Sequence, residues 1–500
     1  PDVLQSVSHA VGQGMCAAGF VSYEAASGLN ACLPAAHHST GLPLAWFGIY
    51  ATSVIRPRPL LADATSCRVG EWNPSCSREA YEKAIHQIKS LISNGDTYQI
   101  NYTMQLHSSF TGESQKLFQT LCAAQPVEHA AYLDLGSHVI CSASPELFFS
   151  LEGDVITCRP MTGTAPRGLS TAADAKQRQR LYLSTKDRAE NVMIVDMVRN
   201  DLGRIADTGT VKTTNLFDIE KYHTLFQMTS TVQARTNAPV LDIFRALFPC
   251  ASITGAPKKR AMEIIAELES APRGVYTGAI GYIFPDRHAK FNVAIRTPVI
   301  HRSTASASYG VGGGIVWDSS PHGEFEECLT KSLVLKTSRP AFSLIETILW
   351  TPRNGFSLLN LHMKRLADSA SYFGVPLDEK RLKRELQNTP SDRNDACVLR
   401  VLLNQAGETT LETRPYPTTP AKGHVWHVAL TDTPVSSSNW CLYHKTTCRQ
   451  VYDRARKAFP HADDVLLYNE KEELTESTIA NVVLELDGRF VTPPVDCGLL

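Results

Sequence analysis

The run "DRAENVMIVDMVRNDLGR", residues 187–204, decides the class of fold. Val192, Ile194, Val195 and Val198 are apolar; Asp187, Arg188, Glu190, Arg199 and Asp201 are charged. The spacing is helical and belongs to a longer helical pattern over 174–203. Strand-like stretches flank it. Upstream lie "TYQINYTMQLH", "AAYLDLG", "HVICSAS" and "ELFFSLEGDVITCRP", with Gly153-Asp154 as a tight turn inside the last. Downstream lie "GAIGYIF", "AKFNVAIRTPVI" and "ASYGVGGGIVW". A long helix set among many strands makes the class α+β.

Further helices are expected over 77–94, with Ser77 as N-cap and Asn94-Gly95 as the stop, and over 257–270, opened by Pro257 in the first turn. A last one carries "EFEECLTKSLVLKT". Residues 1–60 read as short strands and turns. At "SRPAF", 338–342, the pattern restarts with a strand, "FSLIETILW", and a helix, "LLNLHMKRLADSASYFG". The boundary is placed near Pro340, giving domains 1–337 and 341–500. The start at Pro1 and the stop at "TPPVDCGLL" read as trimmed ends.

Five hundred residues exceed one core, which agrees with two domains. A hydrophobic share of 43% and a charged share of 20% describe an ordinary soluble protein. The net charge of −1 offers no global field for nucleic acid or a membrane surface. Thirteen scattered cysteines without a CxxC pair argue against a disulfide framework and for a reduced, cytoplasmic setting. No apolar run approaches the roughly 20 residues a membrane span needs, and no signal peptide is visible.

Several residues have the chemistry of an anion and metal site. "RPMTGTAPRG", 159–168, puts Thr162, Gly163 and Thr164 between prolines, as a turn or an anion-gripping loop, with Arg159 and Arg167 positioning it. Glu190 is a carboxylate in a core-facing helix. In "HGEFEECLTK", Glu327 and Lys331 are four apart and share a helix face beside Glu324. Glutamates from separate helices, completed by water and substrate oxygens, suit Mg²⁺; the spacing alone equally describes a solvated salt bridge. "YGVGGGIV" reads as a Gly-rich turn with bare N–H groups, or as a plain loop. Arg296, in a strand of apolar residues, needs a buried carboxylate or a substrate anion.

As a set, "GDTYQIN", "SASPELFF", "RPMTGTAPRG", "DRAENVMIVDMVRNDLGR", "ASITGAPKKRAMEII", "VYTGAIGY", "FNVAIRT", "GVGGGIV" and "EFEECLTK" resemble the chorismate-utilising enzymes over about residues 15–335. The resemblance implies two packed antiparallel sheets with flanking helices. It implies Glu190 and Glu327 as Mg²⁺ ligands. It implies Gly163, Thr164, Ser252, Tyr276, Arg296, Gly310, Gly312 and Lys331 as chorismate-binding residues. Glu146, in "SPE", matches the general acid that protonates the departing C4 hydroxyl, a role a poor leaving group requires.

Three positions choose among the family's reactions. Gln99 lies where the water-using members have a general-base lysine, so it points to ammonia as nucleophile. Gln227 falls where pyruvate-eliminating members carry a histidine, and an amide cannot shuttle that proton. Thr162 replaces the lysine of the C4-aminating branch, which keeps amination at C2, to 2-amino-2-deoxyisochorismate or anthranilate, as an alternative.

"HKTTCRQVYD" and "TESTIANVVLEL" resemble the fold-type-IV PLP enzymes. Lys445 matches the Schiff-base lysine, Glu476 the partner of the pyridine nitrogen, Arg365 an arginine near the cofactor phosphate, and Asn481 a further motif position. The domain is shorter than that family requires, and the missing part would follow "GLL". The pairing implies amination to 4-amino-4-deoxychorismate, then release of pyruvate by the second domain to give 4-aminobenzoate for folate synthesis. A non-catalytic second domain is the other reading. The sequence has no Gly-x-Cys-x-Gly turn for glutamine hydrolysis, so ammonia is expected from solution or from a separate glutamine amidotransferase subunit.

Overall fold

The helical pattern over 174–203 resolves into two helices, Thr171–Leu183 and Thr185–Gly203. Ser184 breaks it. Its backbone is extended, and its hydroxyl accepts the Asp187 N–H at 3.2 Å, which caps the second helix. That helix buries Ile194, Val195, Val198 and Leu202 among Phe149, Phe244 and Phe291. Val192 stays 40% exposed, so the buried stripe is narrower than the apolar one. Each fully buried side chain of this size is worth about 1.5–3 kcal/mol.

The computed structural model describes residues 1–34, 41–51, 66–335, 341–389, 395–416 and 425–500. The chain forms two compact units, one of residues 1–166 and 179–339, the other of residues 167–178 and 340–500. The expected boundary at Pro340 lies outside the described residues.

The first unit is built on two antiparallel sheets, nine- and eight-stranded among the described residues. The larger runs in the order Met161–Pro166, Leu225–Arg235, Val155–Arg159, Leu147–Glu152, His288–Val293, Ala279–Phe284, Met15–Val21 and Ala45–Ala51, with Lys212–Lys221 also paired to Leu225–Arg235. The smaller centres on Gln99–Gly112 and Ser306–Ile315, whose register runs unbroken from Ser306 opposite Ser109 to Ile315 opposite Ile100. Phe20 and Ile280 from the larger sheet meet Ile140 and Val299 from the smaller in one apolar cluster. Helices Arg78–Ser93, Lys258–Leu268 and Pro321–Ser332 cover the smaller sheet through Ile85, Ile88, Ile264, Phe325 and Cys328. Ser77 caps the first of these, accepting the Ala80 N–H, and Asn94-Gly95 ends it, with Gly95 at φ +82°.

Other expectations need correcting. Residues 2–12 form a helix, Asp2–Gly12, with Leu4 and Val7 buried; Val3, Leu4, Val7, Ala10 and Val11 already carry its period. Pro257 stands just before Lys258–Leu268, as N-cap rather than first-turn residue. "YGVGGGIV" is strand through Ile315, because pairing with Gln99–Gly112 satisfies one edge of its backbone, while the other edge is paired only as far as Tyr309. "RPMTGTAPRG" is neither turn nor loop at its centre: Met161–Pro166 is a strand with a bulge between Thr162 and Thr164, where Gly163 takes φ +75°. Arg296 lies between the strands His288–Val293 and Pro298–His301, at φ +53°.

In the second unit, strands Gly355–Phe356, Ser343–Thr351, Cys397–Asn404 and Thr409–Pro415 make an antiparallel sheet. Its core joins Leu344 and Ile348 to Met363, Leu366 and Phe373 of the helix Leu359–Phe373. A smaller sheet combines Val428–Leu430, Asp464–Tyr468 and Leu474–Ser477. All thirteen cysteines are free thiols. Among the described residues no helix is long and apolar enough to cross a membrane.

Candidate active site

A cavity of about 370 Å³ opens in the first unit, within the size of small-molecule sites. Every residue of this unit expected in the site lines it. The Met161–Pro166 strand brings Thr162, Gly163 and Thr164, and its partner strand brings Gln227, opposite Thr164. The Thr185–Gly203 helix brings Glu190, and Pro321–Ser332 brings Glu327 and Lys331. Gln99, Gly310 and Gly312 come from the paired central strands of the smaller sheet.

Glycine leaves room along that wall. A Cβ on Gly310 would lie 2.2 Å from the Tyr276 ring, and one on Gly314 2.2 Å from Gln99 Nε2. At Gly163 a Cβ would come within 2.9 Å of the Asp187 side chain. Behind the wall, the buried Arg273 donates to the Asn101 carbonyl at 2.6 Å and pairs with Glu269, which accepts the Thr103 N–H. This network pins the strand that carries Gln99.

Glu146 is buried between two strands. Burial pushes its carboxyl up to about 7, against the lowering effect of hydrogen bonds from Ser252 and the Met161 N–H. Ser252 Oγ donates to Glu146 Oε1 at 2.6 Å. Ser252, expected to grip substrate, lines the cavity and gives its hydroxyl proton to the acid. A carboxyl that retains its proton near neutral pH can protonate a leaving group.

The opposite side is crowded with carboxylates. Burial lifts Glu190 to about 7, with Asp187, Glu324 and Glu327 adding repulsion. Glu327 is held below the usual range by Lys331, 2.9 Å away. Lys331 Nζ also donates to the Gly312 carbonyl at 2.7 Å. Among the described residues no three acidic, histidine or cysteine side chains form a metal cluster by themselves. Glu190 and Glu327, which line the same cavity, could hold a cation completed by oxygens from solvent and ligand, as Mg²⁺ prefers. Glu324, noted beside Glu327, also lines the cavity, as do Asn101, Lys186 and Asp187, which were not expected there. Glu324 lies three before Glu327 on the same helix, a visible signal. Asn101, two residues beyond Gln99 on one strand, shares its face.

Arg296 Nη1 donates to the Lys331 carbonyl at 2.5 Å. One of its partners is therefore a backbone oxygen and another is Tyr309, and the residue also lines the cavity. Thr162 is buried, and its Oγ1 accepts from Asn191 Nδ2 at 3.0 Å. Gln99 is buried, and its Oε1 has no hydrogen-bond partner. Arg159 pairs with Glu220 at 2.7 Å and Arg167 with Asp174 at 2.6 Å, and neither lines the cavity.

In the second unit, burial and Arg365 hold the Lys445 ammonium below its usual range, while burial raises Glu476. Glu476 accepts from Tyr452 Oη at 2.6 Å. Arg365 forms a two-bond ion pair with Glu346, at 2.7 and 2.6 Å, and His362 lies 2.7 Å from the same carboxylate. Glu346 was not anticipated; it is a lone acid in an apolar strand, "FSLIETILW". Asn481 is exposed. A half-buried lysine of depressed basicity and a buried acid fit the aldehyde and ring nitrogen of PLP.

The two packed sheets and this cavity define a fold shared with solved chorismate enzymes. Anthranilate synthase component I from Streptococcus pneumoniae matches with a TM-score of 0.60 and 25% identity, over 67% of this chain and 86% of that one. Residues 2–337 match the chorismate binding enzyme model, and the chain belongs to that family. Residues 343–500 match the amino-transferase class IV model. Aminodeoxychorismate synthase component 1 of Klebsiella aerogenes is 39% identical over 54% of this chain and 59% of its own length. Anthranilate synthase component 1 of Streptomyces coelicolor is 37% identical over 58% of this chain and 57% of its own. The chain thus spans less than two thirds of the length of these relatives.

Proposed function

We propose that the first unit aminates chorismate at C4 with ammonia, giving 4-amino-4-deoxychorismate, and that the second releases pyruvate to give 4-aminobenzoate for folate synthesis. The observation that carries the first step is Gln99, whose buried Oε1 lacks an internal donor. An amide oxygen accepts N–H bonds from ammonia but cannot deprotonate water. Glu146, which burial keeps in part protonated near neutral pH, delivers its proton to the C4 oxygen as the C–O bond breaks. Lys331, Arg296 and the bare Gly310–Gly314 backbone hold the carboxylates. Mg²⁺ on Glu190 and Glu327 would neutralise one of them. Gln227 supplies no base for eliminating pyruvate in this cavity.

In the second unit PLP, when bound, acts as an electron sink. Lys445 would hold it and move the substrate proton, and Glu476 would keep the ring nitrogen protonated. Ammonia comes from solution or from a separate glutamine amidotransferase, as the "component 1" of the relatives' names suggests. Thr162 keeps a second reading in play, because it provides no amine to attack C2: direct addition of ammonia at C2. Incubation with chorismate, Mg²⁺ and ammonium, with the product resolved by NMR, separates them. A C2-amino product defeats the C4 reading. Gln99→Met should raise the KM for ammonia about 10-fold or more, the order of a lost hydrogen bond.

A further inference from the structure

Three buried side chains and one partly buried backbone amide form a one-way chain of hydrogen bonds that ends in the cavity. The Phe217 N–H donates to Ser230 Oγ at 3.2 Å. Ser230 Oγ donates to Asn191 Oδ1. Asn191 Nδ2 donates to Thr162 Oγ1 at 3.0 Å. Asn191 and Ser230 are fully buried, and Thr162 is 9% exposed and lines the cavity. The origin of the chain is a backbone amide, which can only donate. With that N–H on Ser230 Oγ, the serine proton goes to Asn191 Oδ1. The Asn191 amide is thereby oriented, and its NH₂ must face Thr162. The reversed amide would aim two donors at Ser230 Oγ and take the serine proton's acceptor away.

We infer that Thr162 is a fixed hydrogen-bond donor to an oxygen atom of the substrate, and that Asn191 and Ser230 are positioning residues that set the direction of its proton. The reasoning is a count. Thr162 Oγ1 has one proton and accepts from Asn191. Its proton therefore has the cavity ahead of it, where a ring hydroxyl or carboxylate oxygen can accept. A group arranged this way is neither base nor nucleophile, since no acceptor in the chain draws off its proton. It is a preorganised dipole of the kind that favours developing negative charge on oxygen. This rests on the chorismate reading above for its substrate, and on geometry alone for its direction.

The test uses Thr162→Val, Thr162→Ser, Asn191→Asp and the double variant Asn191→Asp/Thr162→Val. Total chorismate consumption is measured at saturating Mg²⁺, whatever the product. Asp at 191 is an acceptor only. It would take the protons of both Ser230 and Thr162 and turn the threonine away from the cavity. Thr162→Val and Asn191→Asp should each lower kcat/KM about 10–100-fold, the scale of a buried hydrogen bond to a charged group. The double variant should fall no further than the lower single one, and Thr162→Ser should recover most of the loss. Wild-type rates in Asn191→Asp, or losses that multiply in the double variant, would overturn the inference. If the wild type consumes no chorismate, the activity reading fails separately. The same variants are then compared for chorismate binding by calorimetry, where the non-additive pattern still decides.

Discussion

The charged groups of the two units are handled in opposite ways. In the first, Glu146 and Glu190 are buried and lifted to about 7, and Gln99 keeps an oxygen without a donor. In the second, Arg365, His362 and Glu346 satisfy one another. Burial works to raise Glu346, but the hydrogen bonds from Arg365 and His362 hold it below the ordinary range. An unbalanced cavity is arranged for a ligand that supplies the missing charges. A balanced cluster is already stable without one. The first pattern marks binding and proton transfer; the second is a closed cluster, with Lys445 and Glu476 left as the groups that burial shifts.

The sharpest way to break this contrast is Glu146→Gln. Removing a positioned acid should cost about 10²–10⁴-fold in chorismate consumption. Lys445→Ala should leave that consumption within about twofold, while abolishing the absorbance of PLP bound to the full chain; a shared loss would show that the units are not chemically separate. Next in size is Glu327→Gln. It should raise the Mg²⁺ concentration for half-maximal rate by at least about 100-fold, since even outer partners of metal ligands cost 10–100-fold. An unchanged Mg²⁺ requirement removes Glu327 from the metal.

Glu146 also makes a stability prediction. Its folded carboxyl titrates near 7 rather than 4.5, so the folded state holds a proton that the unfolded state releases between those values. Stability from this group is full below about 4.5 and is lost as pH rises to about 7, by about 3 kcal/mol in all. Glu146→Gln should flatten that slope, melting higher than wild type at pH 8 while being inactive; parallel melting curves across this range would remove the buried-acid account. The smallest effect is expected at Glu346→Ala, about 1–3 kcal/mol by denaturant titration, because Arg365 is partly solvated and can be rehydrated.

The two units differed equally in legibility. The first unit's site residues were readable because their types are chemically odd for their surroundings: Glu190 in a core-facing helix, glycines in an apolar strand, a lone Arg296. What the sequence hid was partly local and partly tertiary. Ser184 divides a helix because one hydroxyl finds one N–H, and Ser252 faces Glu146 across more than a hundred residues. Helical spacing also marked Val192 as buried when the packed stripe passes beside it. In the second unit, Lys445 and Glu476 could be named, but Glu346 could not, because a glutamate in a strand gives no sign of which arginine it will meet.

The glycine-lined strand has a consequence for how the molecule tolerates change. Gly310, Gly312 and Gly314 carry no reactive group, yet each faces an atom within 2.5 Å of where a methyl would sit. In a saturation-mutagenesis map this strand would read as a stripe of positions that accept nothing, with no chemistry in its side chains to explain it. Its contribution is the space that it leaves, so attempts to alter the ligand's shape belong on Thr162, Gln99 and Gln227, where a side chain already occupies room that another can take.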